Sequence, residues 1–272
     1  MSKLPTLFIP HGGGPCFFMD WDPPDTWDHM ADYLRQVPEE VGARPKALVV
    51  ISGHWEEDVV TIQNNPAPPL LYDYYGFPPS TYEIKFPAPG APDVAARVAE
   101  LLAAAGIPHK FDSARGFDHG VFIPLKVAFP KADVPIVQVS LLASMDPAEH
   151  IRIGQALAPL RDESILIVGS GMTYHNMRTL MGAMRRGGTN GADPGSQRFD
   201  DWLEQVLTKA DPAARVAAMT AWDKAPSARQ AHPREEHLLP LHVVVGAAGG
   251  DPGRRTLKDV VMGAVESAFR FG

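Results

Sequence analysis

Short apolar runs without polar alternation recur along the chain, separated by stretches in which apolar residues return every three or four positions. Leu7-Phe8-Ile9, residues 47–51, residues 134–141 and residues 164–168 have the length of strands. Their continuous hydrophobicity is that of strands covered on both faces. Residues 92–105 place Val94, Val98, Leu101 and Leu102 at helical spacing, and residues 121–129, 147–160 and 195–210 read as helices by the same rule. Strands alternating with helices predict an α/β fold. The expectation is one domain over residues 1–272, with a central, mostly parallel or mixed sheet flanked by helices on both faces. Proline changes this picture in one place. It falls at Pro66, Pro68, Pro69, Pro78, Pro79, Pro87, Pro89 and Pro92, so residues 62–92 read as a long irregular connection. Connections of that length inside a domain usually carry function.

Three of the apolar runs lead into a histidine. Leu7 to Pro10 runs into His11, Ala47 to Gly53 into His54, and Ile165 to Gly171 reaches His175 four residues later. Ligands of open α/β sheets gather outside the carboxyl ends of the strands, and neutral imidazole is the commonest metal ligand. These ends therefore predict a metal cleft. His11 lies in a glycine-rich turn, Pro10-His11-Gly12-Gly13-Gly14-Pro15, which lacks the Gly-Lys-Ser/Thr ending of a phosphate loop. His119, in Gly116-Phe117-Asp118-His119-Gly120, opens a helical run and reads equally as a cap or as a catalytic group. His232 and His237 stand five apart, not at the four-residue spacing of a zinc-binding helix. Pro233 and Pro240 argue against a long helix around them. His29, His109, His150 and His242 read as structural residues in surface-like or helical settings.

Composition excludes several classes. A formal net charge of -7 gives no basic footprint for nucleic acid. No apolar run reaches the roughly 18 residues of a membrane span, and the start of the chain lacks a signal-peptide layout. The single Cys16 removes both an internal disulfide and a cysteine metal cluster within the chain. A cytoplasmic location, without a nucleic-acid or membrane partner, is expected.

Taken in order, several blocks together resemble the 4,5-DOPA dioxygenase branch of the class III extradiol ring-cleavage dioxygenases. That superfamily includes the catalytic subunit of protocatechuate 4,5-dioxygenase. The blocks are Pro10-His11-Gly12, Ser52-Gly53-His54-Trp55, Tyr72-Asp73-Tyr74-Tyr75-Gly76-Phe77-Pro78, and Tyr82 with Phe86-Pro87-Ala88-Pro89-Gly90. They continue through Gly116 to Gly120, Gly169-Ser170-Gly171, His175-Asn176 and Glu236-His237-Leu238-Leu239-Pro240-Leu241. The resemblance implies a non-haem Fe(II) enzyme that opens a catechol-type, DOPA-like ring with O2.

It also implies roles. His11, His54 and His237 become metal ligands; the protocatechuate branch has a glutamate where His237 stands. Three neutral imidazoles also suit Zn(II), and Glu236 remains open as the third ligand. His175 matches the proton-transfer histidine and is also a candidate fourth ligand. His119 resembles a residue contacting substrate or oxygen. Tyr72 and Tyr82 bound a lid or wall for the aromatic substrate, offering ring faces and phenol hydroxyls. A homo-oligomer is compatible with such an enzyme. Two other readings stay open: a zinc-dependent hydrolase on a similar scaffold and a non-catalytic metal-binding protein on the same fold.

Overall fold

The computed structural model describes residues 3–185 and 191–272. Strand β1 (Thr6–Pro10) is followed by helix α1 (Asp28–Val41), then β2 (Ala47–Glu57) and β3 (Val60–Gln63). The chain continues through α2 (Pro92–Ala104), β4 (His109–Asp112), α3 (His119–Ala128) and β5 (Ile136–Leu142). Helix α4 (Pro147–Leu157), β6 (Ile165–Gly171), α5 (Met177–Arg185) and α6 (Pro194–Glu204) come next. The last elements are α7 (Pro212–Thr220), α8 (Ala228–Ala231), α9 (Leu239–Ala248) and the hairpin β7 (Gly253–Val261) and β8 (Ala264–Phe271).

All eight strands form one sheet in the order β4-β3-β5-β2-β6-β1-β8-β7. The four central strands, β5, β2, β6 and β1, run parallel. β8 joins β1 antiparallel, and β7 joins β8 antiparallel. The fold is therefore a single mixed α/β domain. Alternate residues of the central strands reach opposite faces: Leu48, Val50, Leu166 and Val168 meet α1 and α3, whereas Val49, Ile51, Ile165 and Ile167 meet α2, α4 and α9. Covering on both faces is the physical reason for the uninterrupted apolar runs.

Expected helices and strands occur with shifted ends. The predicted helix 147–160 ends at Leu157 and tightens into a 3-10 turn, Ala158–Glu163, and 195–210 closes with a π turn, Gln205–Lys209. Within 62–92, β3 takes Ile62 and Gln63, and a 3-10 turn occupies Pro79–Glu83. Of the histidines read as surface-like or helical, His150 and His242 are fully buried. His150 donates to the Asp146 carbonyl and accepts from Leu142 N. The ring nitrogens of His242 face the Leu238 and Met219 carbonyls, of which the neutral imidazole donates to one.

Two helices pack unusually closely. At Gly154 on α4, a Cβ would overlap the Val243 carbonyl oxygen of α9, and at Gly246 on α9, one would overlap the Ile151 carbonyl of α4. This close pair fixes α9, which His237 shortly precedes, against the sheet. Among the described residues, no helix is long and apolar enough to cross a membrane.

Candidate metal centre

Each histidine of the centre is placed by a different local device, and all lie at the carboxyl end of the parallel strands. β1 ends at Pro10, and the His11 N–H continues its ladder by donating to the Gly171 carbonyl (3.2 Å). The turn after it folds back on itself: Gly12 and Gly14 adopt φ of +78° and +57°, where side chains are strained. His54 does not end its strand, as the apolar run suggested; β2 continues to Glu57. Pairing of β2 with β6 stops at Ser52, and pairing with β5 is interrupted between Ile51 and Glu56. The histidine sits in that irregularity, the kind of break that re-aims a side chain.

His237 precedes α9 and is drawn onto β6 by close approach. Its carbonyl accepts from Met172 N (3.1 Å), and a Cβ at Gly171 would overlap that carbonyl. A Cβ at Gly53 would stand 3.1 Å from the Glu236 carbonyl oxygen. The small residues of Ser52-Gly53-His54 and Gly169-Ser170-Gly171 thus make room for the segment that carries His237. His119 is the first residue of α3. Its neighbour Asp118 stands at the N-cap, but that carboxylate bonds Ser52 Oγ (2.8 Å), Gln138 and Arg115 instead of capping the helix.

The rings converge. Centroids of His11 and His54 lie 4.9 Å apart, His11 and His237 5.2 Å, His54 and His237 4.7 Å, and His54 and His119 3.9 Å. His175 stacks on His237 at 3.4 Å with 15° between the planes. Ligand atoms of His11, His54 and His119 fall within 4.8 Å of one another, as do those of His175, Glu236 and His237. The expected set His11, His54, His175 and His237 therefore draws on both groups, which meet where His54 Nε2 faces His237 Nε2 at 3.3 Å.

Protonation follows from the partners. His11 Nδ1 donates to the Gly12 carbonyl (2.9 Å), so its Nε2 keeps a lone pair, and that nitrogen is buried without a partner among the described residues. His237 Nδ1 donates to Glu236 Oε1 (3.2 Å), leaving its Nε2 unprotonated as well. If His54 donated from Nε2 to His237, its own Nδ1 lone pair would face the Asp73 carboxylate at 3.9 Å. A cation among the three Nε2 atoms removes the conflict, and three imidazoles are a normal donor set for a divalent transition metal. The residues fit a metal.

Burial, reinforced by neighbouring imidazoles, lowers His11, His54 and His237 well below the usual histidine range. They stay neutral, as ligation requires. Two carboxylates flank the cluster. Asp73 Oδ1 accepts from both His119 Nδ1 (2.7 Å) and His119 N (2.9 Å). Burial works to raise Asp73, and the bonds and charge of His119 outweigh it, so the carboxyl lies below its ordinary value. Glu236 Oε1 accepts from His175 Nδ1 (3.2 Å) as well as from His237, and it too lies below its ordinary value although burial opposes this.

The Tyr72 and Tyr82 hydroxyls are committed to backbone, donating to the carbonyls of Ile84 (2.6 Å) and Tyr74 (3.3 Å). What they offer is ring surface, in a cluster with Tyr74, whose ring lies 5.8 Å from His119. Asp73 had no assigned part in the sequence reading. Its signal is a carboxylate set between Tyr72 and Tyr74 inside an aromatic, proline-rich connection.

A mixed sheet with an imidazole cluster at the carboxyl ends of its parallel strands is the architecture of a metal-dependent α/β enzyme. Over residues 5–270 the sequence matches the family described as the catalytic LigB subunit of aromatic ring-opening dioxygenase. The protein named 4,5-DOPA dioxygenase extradiol in Beta vulgaris is 38% identical over 246 residues, covering 90% of this chain and 87% of its own. The protein of that name in Escherichia coli K12 is 34% identical over 266 residues, covering 97% and 93%. The crystal structure of an uncharacterized protein from Escherichia coli K12 superposes with a TM-score of 0.80 at 30% identity, over 99% of this chain and all of that one. The chain belongs to the LigB family of aromatic ring-opening dioxygenases and is an enzyme of the extradiol ring-cleavage class. The family is metal-dependent, in keeping with the histidine-rich centre.

Proposed function

We propose that the protein is a non-haem Fe(II) extradiol dioxygenase that opens the ring of a catechol-type, DOPA-like substrate with O2, placing both oxygen atoms in the product. The observation that carries this reading is the convergence of the His11, His54 and His237 imidazoles, with ring centroids 4.7 to 5.2 Å apart, flanked by two carboxylate–histidine pairs. His11, His54 and His237 hold the metal, with His175 as a further ligand when substrate is absent. Iron(II), when bound, supplies a point where catechol and O2 are brought together and electrons pass between them.

The remaining work falls to the chain. His175 donates Nδ1–H to Glu236, which leaves Nε2 free to take a phenolic proton and return it during ring opening. His119, aligned by Asp73, contacts substrate or oxygen. The rings of Tyr72 and Tyr82 wall the pocket for a flat aromatic. A catechol and O2 are the partners, the catalytic domain spans the whole chain, and the enzyme works in the cytoplasm.

The test is anaerobic reconstitution with Fe(II), followed by O2 and a catechol panel that includes DOPA. Oxygen uptake with a yellow ring-opened product is expected. Tightly held zinc without oxygen uptake on any catechol overturns the reading. His175→Ala is expected to bind catechol but open it about 10²–10⁴-fold more slowly, the usual contribution of a positioned acid–base group. Unchanged turnover would end its proton-transfer role.

A further inference from the structure

Between the end of β6 and His175, the chain passes beyond the sheet's regular ladder. β1 pairs with β8 through Thr6–Phe271, Leu7–Arg270 and Phe8–Phe269 and stops at Pro10, whereas β8 extends back to Ala264. The stretch of β8 left over is met by Thr173 and Tyr174, both buried. Their peptide N–H groups have lost a strand partner, and leaving a buried donor unpaired costs about 1–3 kcal/mol.

Glu266 supplies the acceptor. Its Oε2 takes Thr173 N (2.9 Å), Tyr174 N (3.2 Å) and Thr173 Oγ1 (3.1 Å). Thr173 Oγ1 in turn accepts from Ser267 N (2.9 Å), and the Thr173 carbonyl accepts from His232 Nε2 (2.9 Å). The peptide one residue before His175 is therefore tied at every polar atom. His175 itself has an N–H bond to the Ala231 carbonyl (2.9 Å), the bond to Glu236, and its stack on His237.

We propose that Glu266 is a positioning residue for His175: by clamping Thr173 and Tyr174 to β8 it fixes where the imidazole stands against Glu236 and His237. This rests on the reading above in which His175 moves protons. The three bonds of Glu266 all end on Thr173 and Tyr174, so its loss leaves the imidazoles of His11, His54 and His237 with their own partners. Burial, with Asp200 adding to it, pushes the Glu266 carboxyl up to about 8. Near pH 7 it is a neutral acid, and glutamine is its isostere.

The experiment compares Glu266→Gln and Glu266→Ala with wild type after metal loading, reading kcat, KM, metal content and thermal unfolding together. Glu266→Gln keeps an acceptor oxygen and is expected to hold kcat within about threefold, whereas Glu266→Ala loses roughly 10–100-fold in kcat, the scale of a small misplacement of a reacting group. KM and metal content stay at the wild-type level. Unchanged kcat in folded, metal-loaded Glu266→Ala overturns the proposal, and so does a parallel loss of kcat and metal, which marks a merely structural role.

If Glu266→Ala does not fold, Thr173→Val removes the bridging hydroxyl and keeps both backbone bonds. It is expected to lower kcat by several-fold, and no change counts against the clamp. Imidazole nitrogen NMR separates the two readings. If wild type opens no catechol, proton transfer by His175 fails on its own. Loss of the protected His175 Nδ1–H signal in Glu266→Ala still supports the clamp, and a retained signal refutes it.

Discussion

His11 Nε2 is kept without a proton by the bond from its own Nδ1 to Gly12, and His54 and His237 turn their Nε2 atoms on each other at 3.3 Å. In the metal-free protein His11 Nε2 is buried without a partner among the described residues, and burial denies all three imidazoles the charged form. The cost is recovered when a cation binds, so metal should act as a stabilising ligand. At a free metal concentration roughly one hundred times Kd, stability should rise by about 2.7 kcal/mol. His237→Ala should abolish that gain. The fold itself should survive, because the bond from Met172 N ends on the backbone carbonyl of residue 237 and not on its ring. Thermal unfolding with and without Fe(II) or Zn(II) measures both effects. Full metal occupancy in His237→Ala, or in His11→Ala, would remove that residue from the ligand set.

At the scale of elements, the site depends on how closely α9 and its leading segment approach their neighbours. Gly154 and Gly246 let α4 and α9 touch backbone to backbone, and neither position has space for a methyl group. Gly246→Ala should cost about 3 kcal/mol, at the upper end of overpacking effects, and Gly154→Ala a similar amount. Because both substitutions separate the same two helices, the double variant should cost less than the sum. Urea midpoints decide this; strict additivity would mean that each glycine acts alone.

These helices also show where the sequence stops speaking. Their spacing made α4 legible, but a glycine in mid-helix reads only as a weakness of about 1 kcal/mol until the partner helix is seen. The four parallel strands were legible because burial on both faces writes an apolar run. The β7–β8 hairpin was not, since Gly253-Arg254-Arg255 and Lys258-Asp259 at the sheet edge break any such run. His11 was legible at a strand end. His237 carried no periodic signal, because its position comes from a carbonyl laid on Gly171, and only the resemblance to a family singled it out.

For the whole molecule, buried titratable groups set the pH range of stability. His232 is driven down to about 3 and His242 to about 4, mainly by burial, and His150 is also lowered. Unfolded, these histidines take up protons below pH 6.5; folded, they refuse them until much lower pH. Stability is therefore lost as pH falls from 6.5, by about 1.4 kcal/mol per pH unit for each such histidine. In metal-free protein His11, His54 and His237 add to the slope.

Glu266 works in the opposite direction. Its folded value of about 8 lies above its ordinary 4.5, so its contribution is complete below 4.5 and is lost as pH rises through 8. Several histidines outweigh the raised carboxyls on the acid side, and Glu266 tilts the neutral side. The Cys16 thiol and Tyr33 phenol, both raised by burial, add to the fall at higher pH. The metal-free protein should thus be most stable near pH 6.5, with the acid limb the steeper. Glu266→Gln, which cannot ionise, should flatten the limb between pH 6.5 and 8 and leave the acid limb falling. Urea unfolding at half-unit pH steps tests both limbs: a wild-type curve still rising at pH 8, or one the glutamine variant leaves unaltered, would show that the buried carboxyl does not set it.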